Sequence, residues 1–481
     1  MKKFVTLSIV TASSFAFAST ASDIRFLKNE ITNLKAQIEE LQAKNQKTDK
    51  KVKRVSKKLN KVKTHDAKDN IKWSADVRTS MDSINYDMAD GSERKNSSLF
   101  STRVWLNMAY APSSNLIFKG QLAYNKAFGA DFGNGRGAGF DAFDWVTNET
   151  LTGNDIKLRQ AYWLYMGDDF LGTGLGWTAS VGRRPSTTGF LSSLREDDTP
   201  QSPLSHMIDV EFDGASSMLK LEKLTGISGI SIKLCAGVGS TNASPRFSGS
   251  DYAEDKSILD DTKLMGVIFV PYDNGEYQFK TMAFRAWDLP GYNTLASTKM
   301  STMGDMDGAV ASLLVDGLGD DGYLADVKLF ASFAWSKTRP NNPNGMLGSL
   351  DDESGTSYWF GVQAPLFSGK FGLEYNHGSE YWRSFTYGED TMSGSKLAVR
   401  GDAFEAYYTK ELTKGLSFSI RYTNIDYEYT GSNGFFGAYG TPIKIDDIKT
   451  AAAAGDATSI EMLPNIIDEA EDIRAYIRYR F

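Results

Sequence analysis

The chain has 481 residues, of which 41% are hydrophobic and 12% aromatic, with a formal net charge of −7. Beyond the N-terminus no run of 18 apolar residues occurs, which excludes a helix that spans a membrane. A strand-crossing protein passes that test unseen, because half of its strand residues face away from lipid and lower the average hydropathy. The single cysteine, Cys235, has no partner for an internal disulfide and reads as a small side chain on a strand.

In chain order, Met1–Ala18 reads as a signal peptide. Lys2 and Lys3 supply the positive start, residues 4–17 the apolar stretch, and Ala16-Phe17-Ala18 the cleavage site, with Ser19 opening the mature chain. Residues 19–63 then carry an unbroken heptad. Its first seam position is Ile24, Ile31, Ile38, Asn45, Val52 and Leu59. Its second is Leu27, Leu34, Leu41, Thr48, Val55 and Val62. Alternating spacings of three and four define a left-handed coiled-coil seam, and a buried Asn45 sets register and parallel alignment. Parallel self-association is the reading, with a helix lying on its own chain as the alternative; the seam leaves dimer and trimer open. Between Ser19 and Lys63 there are 13 Lys and Arg against 5 Asp and Glu, net +8, whereas Thr64 to Phe481 carries net −17. The basic run is either a solvated helix face or a surface drawn to an anionic envelope polymer such as peptidoglycan. Residues 64–70 (THDAKDN) form a polar hinge.

From Ile71 to Phe481 the period changes to two. Trp73, Ala75, Val77 and Thr79 alternate with Ser74, Asp76 and Arg78. Fifteen further segments follow, from Phe100–Tyr110 to Asp472–Phe481; Ala215–Leu221 and Ala309–Asp316 are the weakest. Connections alternate between short ones such as Asp273-Asn274-Gly275 and long ones such as Asn85–Leu99, Gly129–Asp155, Pro185–His206 and Leu289–Gly308. Short periplasmic turns and long outer loops are how an outer-membrane barrel is connected, and that alternation is what admits Ala309–Asp316. The expected fold is all-β: a transmembrane antiparallel β-barrel of about sixteen strands, wide enough to leave an aqueous channel in place of a filled core. Val104, Leu106, Val327, Leu329, Phe333, Leu373 and Ile420 are assigned to lipid, and Arg103, Asn107, Asp326, Lys328, Ser332, Glu374 and Arg421 to the lumen.

The last stretch, Glu471–Phe481, has Ile473, Ala475, Ile477, Tyr479 and Phe481 on one face and Asp472, Arg474, Arg478 and Arg480 on the other. An apolar strand face ending on Phe resembles the closing strand of bacterial outer-membrane barrels, where the segment is the signal read by the barrel-assembly machinery. With leader, basic coiled-coil arm and period-two region, the chain resembles bacterial outer-membrane porins that carry an N-terminal periplasmic coiled coil. Leu158-Arg159-Gln160-Ala161-Tyr162-Trp163 and Val181-Gly182-Arg183-Arg184-Pro185 resemble motifs of the phosphate-selective-like porins. The resemblance implies passive diffusion of ions and small hydrophilic solutes across the outer membrane of a Gram-negative bacterium, a homotrimer with independent pores, and an arm in the periplasm.

Porins of this kind fold the third external loop into the lumen. Here that loop follows Arg183 and Arg184 and holds Arg195, Glu196, Asp197 and Asp198. The expectation is a constriction with basic and acidic clusters opposed across it, with Arg103, Lys119, Arg159 and Arg421 adding a basic wall. The alternative is an exposed loop with solvated charges. The rival account of the whole chain is a structural anchor that tethers the membrane to the cell wall through the basic arm. An enzyme is not expected: three histidines (His65, His206, His377) offer at most a Ser–His pair on the outer wall, and Asp305-Met306-Asp307-Gly308 departs from calcium-loop spacing after its first carboxylates. No cofactor, metal or nucleic-acid partner is expected; outer-membrane lipids and small solutes are.

Overall fold

The computed structural model describes residue 35 and residues 71–129, 151, 154–184, 188–243, 254, 259–319, 321–386, 391–432 and 434–481. The signal peptide, the coiled-coil seam and the hinge lie outside the described residues.

Sixteen antiparallel strands close into a barrel. In chain order these are β1 (Lys72–Met88), β2 (Glu93–Ser113), β3 (Leu116–Ala127), β4 (Lys157–Gly167), β5 (Trp177–Arg184), β8 (Phe212–Lys220), β9 (Ser231–Ser240) and β10 (Thr262–Asp273). They continue with β11 (Tyr277–Tyr292), β12 (Met300–Asp316), β13 (Lys328–Pro340), β14 (Ser354–Leu366), β15 (Gly369–Gly378), β16 (Gly401–Thr413), β17 (Leu416–Tyr427) and β18 (Ile467–Arg480). The short pair β6 (Gly189–Phe190) and β7 (Gln201–Leu204) lies in the connection from β5 to β8. Each barrel strand pairs with its neighbour in sequence, and β18 pairs with β1, Tyr479 opposite Val77. The seal continues through Phe481, which exchanges backbone hydrogen bonds with Ala75 at 2.8 and 3.0 Å. The barrel is left with no free edge, as a hydrocarbon environment requires.

Tight turns lie at the barrel end that holds Lys72 and Phe481. At Asp273-Asn274-Gly275 the two side-chain oxygens accept from the following backbone amides, and Gly275 takes a φ of +92° that a side chain would resist. Outward residues are apolar and uncovered: Leu106, Val181, Leu234, Phe333, Phe360 and Ile473 are all exposed. Trp73, Tyr272, Tyr277 and Tyr479 stand at the short-turn end of this surface, where an interfacial girdle belongs.

Four sequence expectations are corrected. Asn85–Leu99 is strand for most of its length: past a bulge between Asp82 and Ile84, β1 and β2 go on pairing to Asp87 opposite Glu93 and turn at residues 89–92. At 17 and 21 residues these strands are far longer than a bilayer needs. Their outer ends meet no lipid: residues 93–98 of β2 are polar throughout, and β1 buries Ile84 and Met88 with polar residues facing out, so no outward apolar face marks them. Leu289–Gly308 shrinks to a seven-residue connection, because β11 reaches Tyr292 and β12 starts at Met300. Val327 is buried, not lipid-facing: Tyr323–Asp326 forms a 3-10 turn and the strand begins only at Lys328. The fourth concerns the lumen. On the β10–β14 side it is packed with side chains: inward Leu264, Phe284, Met306, Phe330 and Trp359 meet Phe190, Met207, Trp382, Phe385 and Phe436 from connecting segments. This packing explains why β12 looked weak. Its inward Val310 and Leu314 are as apolar as its outward Leu313, so the alternation vanishes from the sequence.

Trp359 and Trp382 are the largest fully buried side chains of this luminal core, and Trp359 is the one carried by a barrel strand. It donates from Nε1 to Glu374 Oε2 at 3.0 Å and packs edge-on against Phe330 at 4.8 Å. Trp359→Ala is expected to cost about 3–5 kcal/mol, measured as a lower denaturant midpoint of the detergent-folded barrel.

Candidate functional site

The connection between β5 and β8 enters the barrel. Its segment Gly189–Phe190 pairs in parallel with Gln201–Leu204, and a short helix, Ser193–Glu196, sits between them. Ser205 Oγ donates to the Phe190 carbonyl at 2.7 Å and Ser192 Oγ to that of Gly189 at 3.2 Å, tying the loop to itself. Three of its non-glycine residues, Thr188, Leu191 and Asp197, hold positive φ, strain that the surrounding contacts must offset.

The helix is held by charge. Glu196 accepts from Arg421 Nη2 at 2.6 Å, Tyr476 Oη at 2.9 Å and Arg478 Nη1 at 3.1 Å. Burial alone would push its carboxyl up, but Arg421 and Arg478 outweigh burial and hold it well below the usual carboxylate range. Asp198 accepts from Arg478 and Arg480 at 3.1 and 2.9 Å; burial wins there, and Glu196 adds to it, so its carboxyl is raised. Arg195 reaches the other way and donates to both oxygens of Glu405 at 3.1 Å. Glu405 also accepts from Lys396 Nζ at 2.7 Å, and Lys396 donates in turn to Glu374 at 2.7 Å. Asp197 pairs with Lys370 at 2.5 Å. On the wall, Arg478 grips Asp76 with its Nε at 2.9 Å, and Arg474 donates to Asp82 at 2.5 Å.

Farther along the loop His206 is fully buried. Its Nδ1 lies 2.8 Å from Ser332 Oγ on β13 and its Nε2 2.9 Å from Ser357 Oγ on β14, with Trp359 and Trp382 against the ring. Burial among these neutral groups pulls its pKa from 6.5 down to about 3. The loop thus has two anchors, an ionic one at Arg195–Asp198 and a neutral one at His206. Polar cavities flank the helix. One of about 590 Å³ is lined by Arg195, Asp316, Lys328, Lys370 and Ser417; the other, of about 450 Å³, by Asp76, Gln121, Arg159, Asp198 and Gln201.

Arg195, Glu196, Asp197 and Asp198 are therefore brought together inside the barrel. Arg183 and Arg184 are not set opposite them. Arg183 pairs with Glu211 at 2.5 Å and Asp213 at 3.4 Å, and Arg184 donates to Ser180 Oγ at 2.6 Å over the Tyr162 ring. The cations facing the loop carboxylates come from β17 and β18 instead, with Lys370 of β15 on Asp197. Arg103 and Arg159 stack on Trp105 with their guanidinium carbons 3.6 and 4.0 Å from the ring centroid. Arg159 also donates to Gln121 at 2.5 Å, which places it in the lumen. Its face was illegible because a bulge falls there: Gln121 opposes Gln160 while Leu122 opposes Leu158, so parity switches within β4. Lys119 shares the inward face of Gln121 but is exposed. Ile473, Ile477, Tyr479 and Phe481 are exposed on the outer wall.

Sequence reasoning assigned Glu374 to the lumen without its ionic role, and missed Glu405, Lys396, Asp82 and the anchoring role of His206. Strand parity could have found Glu405, which alternates with outward Phe404 and Ala406. Nothing in the sequence pointed to Lys396, a loop residue. Among the described residues no group of three or more His, Cys, Asp or Glu is placed to hold a metal. Asp307 is instead paired with Arg339 at 2.7 Å and Arg285 at 3.0 Å, and His377 lies 2.8 Å from Asp402.

Two outcomes follow for loop docking. His206 docks neutral, so the stability it contributes is complete above pH 6.5 and is lost progressively as pH falls toward 3; Glu196 adds a further loss below its ordinary value of 4.5. The denaturation midpoint is therefore expected to drop between pH 7.5 and 5, and His206→Asn, which stays neutral, should flatten that slope. Glu405→Ala leaves Arg195 and Lys396 without their shared carboxylate and should destabilise by about 3–5 kcal/mol, with Glu405→Gln intermediate in the same titration.

No curated protein matches the chain. Among solved structures, an anion-selective porin from Comamonas acidovorans is 14% identical, with a TM-score of 0.47 over 86% of this chain and 99% of that one. OmpF of Salmonella typhi, in complex with daunomycin, is 9% identical, with a TM-score of 0.45 over 86% and 99%. OmpT, an outer membrane protein of Vibrio cholerae, is 11% identical, with a TM-score of 0.43 over 85% and 97%. Residues 93–481 match the profile of a family described as a protein of unknown function, and those residues hold fifteen of the sixteen barrel strands together with the infolded loop: the chain belongs to the DUF3373 family.

Proposed function

We propose that this chain is an outer-membrane channel for passive diffusion of ions and small hydrophilic solutes. One observation carries the reading: a closed barrel, apolar outside, holds a charged loop in its lumen between two polar cavities. Hydrocarbon accepts that exterior, and selection of solutes by rows of fixed charge suits that interior. Arg421, Arg478 and Arg480 on one wall against Glu196 and Asp198 on the loop supply a transverse field. In the same proposal the protein is a homotrimer, its basic arm hangs in the periplasm, and the barrel-assembly machinery reads the Ile473–Phe481 face.

The second reading, a structural anchor tied to peptidoglycan by the arm, draws on a different observation. Most inward side chains on β1 and β10–β18 are buried, so the lumen is filled far more than a wide pore needs.

The deciding measurement is single-channel conductance of the purified full-length protein in a planar bilayer under a salt gradient. Stepwise openings are expected, in groups of three for the trimer. Glu196→Gln, which loosens the loop from Arg421 and Arg478, should raise step size or open probability severalfold. A folded but silent barrel, in wild type and variant alike, would overturn the channel and leave the anchor. Deleting residues 19–63 should leave conductance intact and abolish any cell-wall tether.

A further inference from the structure

The polar cavity of about 450 Å³ lies between the infolded loop and the wall made by β18 and β1–β4. Strand register sets four neutral polar side chains of that wall on one level. Ser74 stands opposite Asn107, Asn107 opposite Gln121, and Gln121 opposite Gln160. All four line the cavity, and Thr199 and Gln201 of the loop line it too. Gln121 ties the row together: its Nε2 donates to Asn107 Oδ1 at 2.6 Å, and its Oε1 accepts from Arg159 Nη1 at 2.5 Å. Five groups are left unused. The Ser74 and Thr199 hydroxyls, the Gln160 and Gln201 amides and the Asn107 Nδ2 make no hydrogen bond among the described residues. The charged side chains of the same cavity are in the opposite condition. Asp76 accepts from Arg478 at 2.9 Å, Asp198 accepts from Arg480 at 2.9 Å, and Arg159 lies 3.5 Å from Glu211.

We infer that this cavity is a luminal binding site for neutral polyhydroxylated solutes of monosaccharide size. An amide presents both a donor and an acceptor, and so does a hydroxyl, which is what each hydroxyl of a sugar or sugar alcohol needs in return. A charged ligand is served less well. Every charged side chain of the cavity is already engaged with an opposite charge, and recruiting one would strand its partner. Neighbouring strands lie about 4.8 Å apart, so the row repeats at close to the separation of alternate hydroxyls on a pyranose ring. The volume falls in the lower part of the range of about 300–1,000 Å³ that small-molecule sites occupy. The inference rests on the channel reading for its biological sense and names a solute class for it: neutral sugars that pause at the β1–β4 wall while crossing the lumen.

The test is saturation-transfer NMR on the full-length protein in an amine-oxide detergent, which carries no sugar headgroup. D-glucose is expected to give a signal that saturates with concentration. Cyclohexanol keeps a six-membered ring but has one hydroxyl, and glucuronate adds a negative charge; each should bind at least about fivefold more weakly. Gln160→Leu and Gln201→Leu, each first confirmed as folded by heat-modifiable gel mobility, remove amides that hold nothing in the unliganded protein. Each should weaken glucose binding about fivefold, the worth of one net hydrogen bond. Cyclohexanol binding as well as glucose would overturn the polyol assignment, and glucuronate binding as well or better would overturn the neutral one. A glucose signal that does not saturate, or that both variants leave unchanged, would overturn the site. Planar-bilayer recording separates this from the channel reading. A conducting protein with no saturable glucose signal removes the site alone, whereas a silent protein that binds glucose removes the channel and keeps the site.

Discussion

Everything in this molecule follows from the need to leave no backbone polar group unpaired in hydrocarbon. An open sheet of this size would expose two edges; pairing β18 with β1 removes both. Closure then forces the division of side chains. Every barrel strand has one face toward lipid and one toward the interior, and the bulge at Arg159 keeps Leu158 outward and Arg159 inward. The outer face has one task and is uniform. The inner face has no such uniform partner, and there the protein spends its variety.

That variety is organised by the loop between β5 and β8. It divides the interior into a side packed with apolar residues and a side laced with ion pairs. The two sides obey different physics. Around Trp359 and Phe385 the loop is held by burial of apolar area and by a histidine kept neutral by its surroundings. Around Arg195–Asp198 it is held by carboxylates and guanidiniums that are nearly all paired, since an unpaired charge at this depth would cost more than the pair returns. A loop carrying residues at positive φ stays in place because both anchors oppose its release.

The same division frames the channel reading. The polar cavities on either side of the Ser193–Glu196 helix are lined by charges of both signs, and the cavity near Cys235 is largely apolar, so the lumen has walls of two kinds.

Much of the barrel was legible from residues alone. Lipid imposes a strict rule, apolar at every second position, and Leu106, Phe333, Ile420 and Ile473 obey it; alternating loop lengths located β12 even where its own pattern was mute. Where lipid stops, so does the rule. The outer end of β2 is polar on both faces, that of β1 turns Ile84 and Met88 to the buried side with polar residues outward, and β12 is apolar on both faces, so their extents or faces could only be seen once their neighbours were in place. The charges of the loop were visible as a run, Arg195 to Asp198, but their partners were not. Arg421, Arg478 and Glu405 lie more than 200 residues away in sequence and meet the helix only because closure of the barrel brings β16, β17 and β18 around it; Lys396 joins them through Glu405. Local pattern determined which residues form strands and which face meets lipid, because a period of two is a property of a single strand. What fills the lumen was decided by tertiary structure, because it depends on which strands stand across from one another.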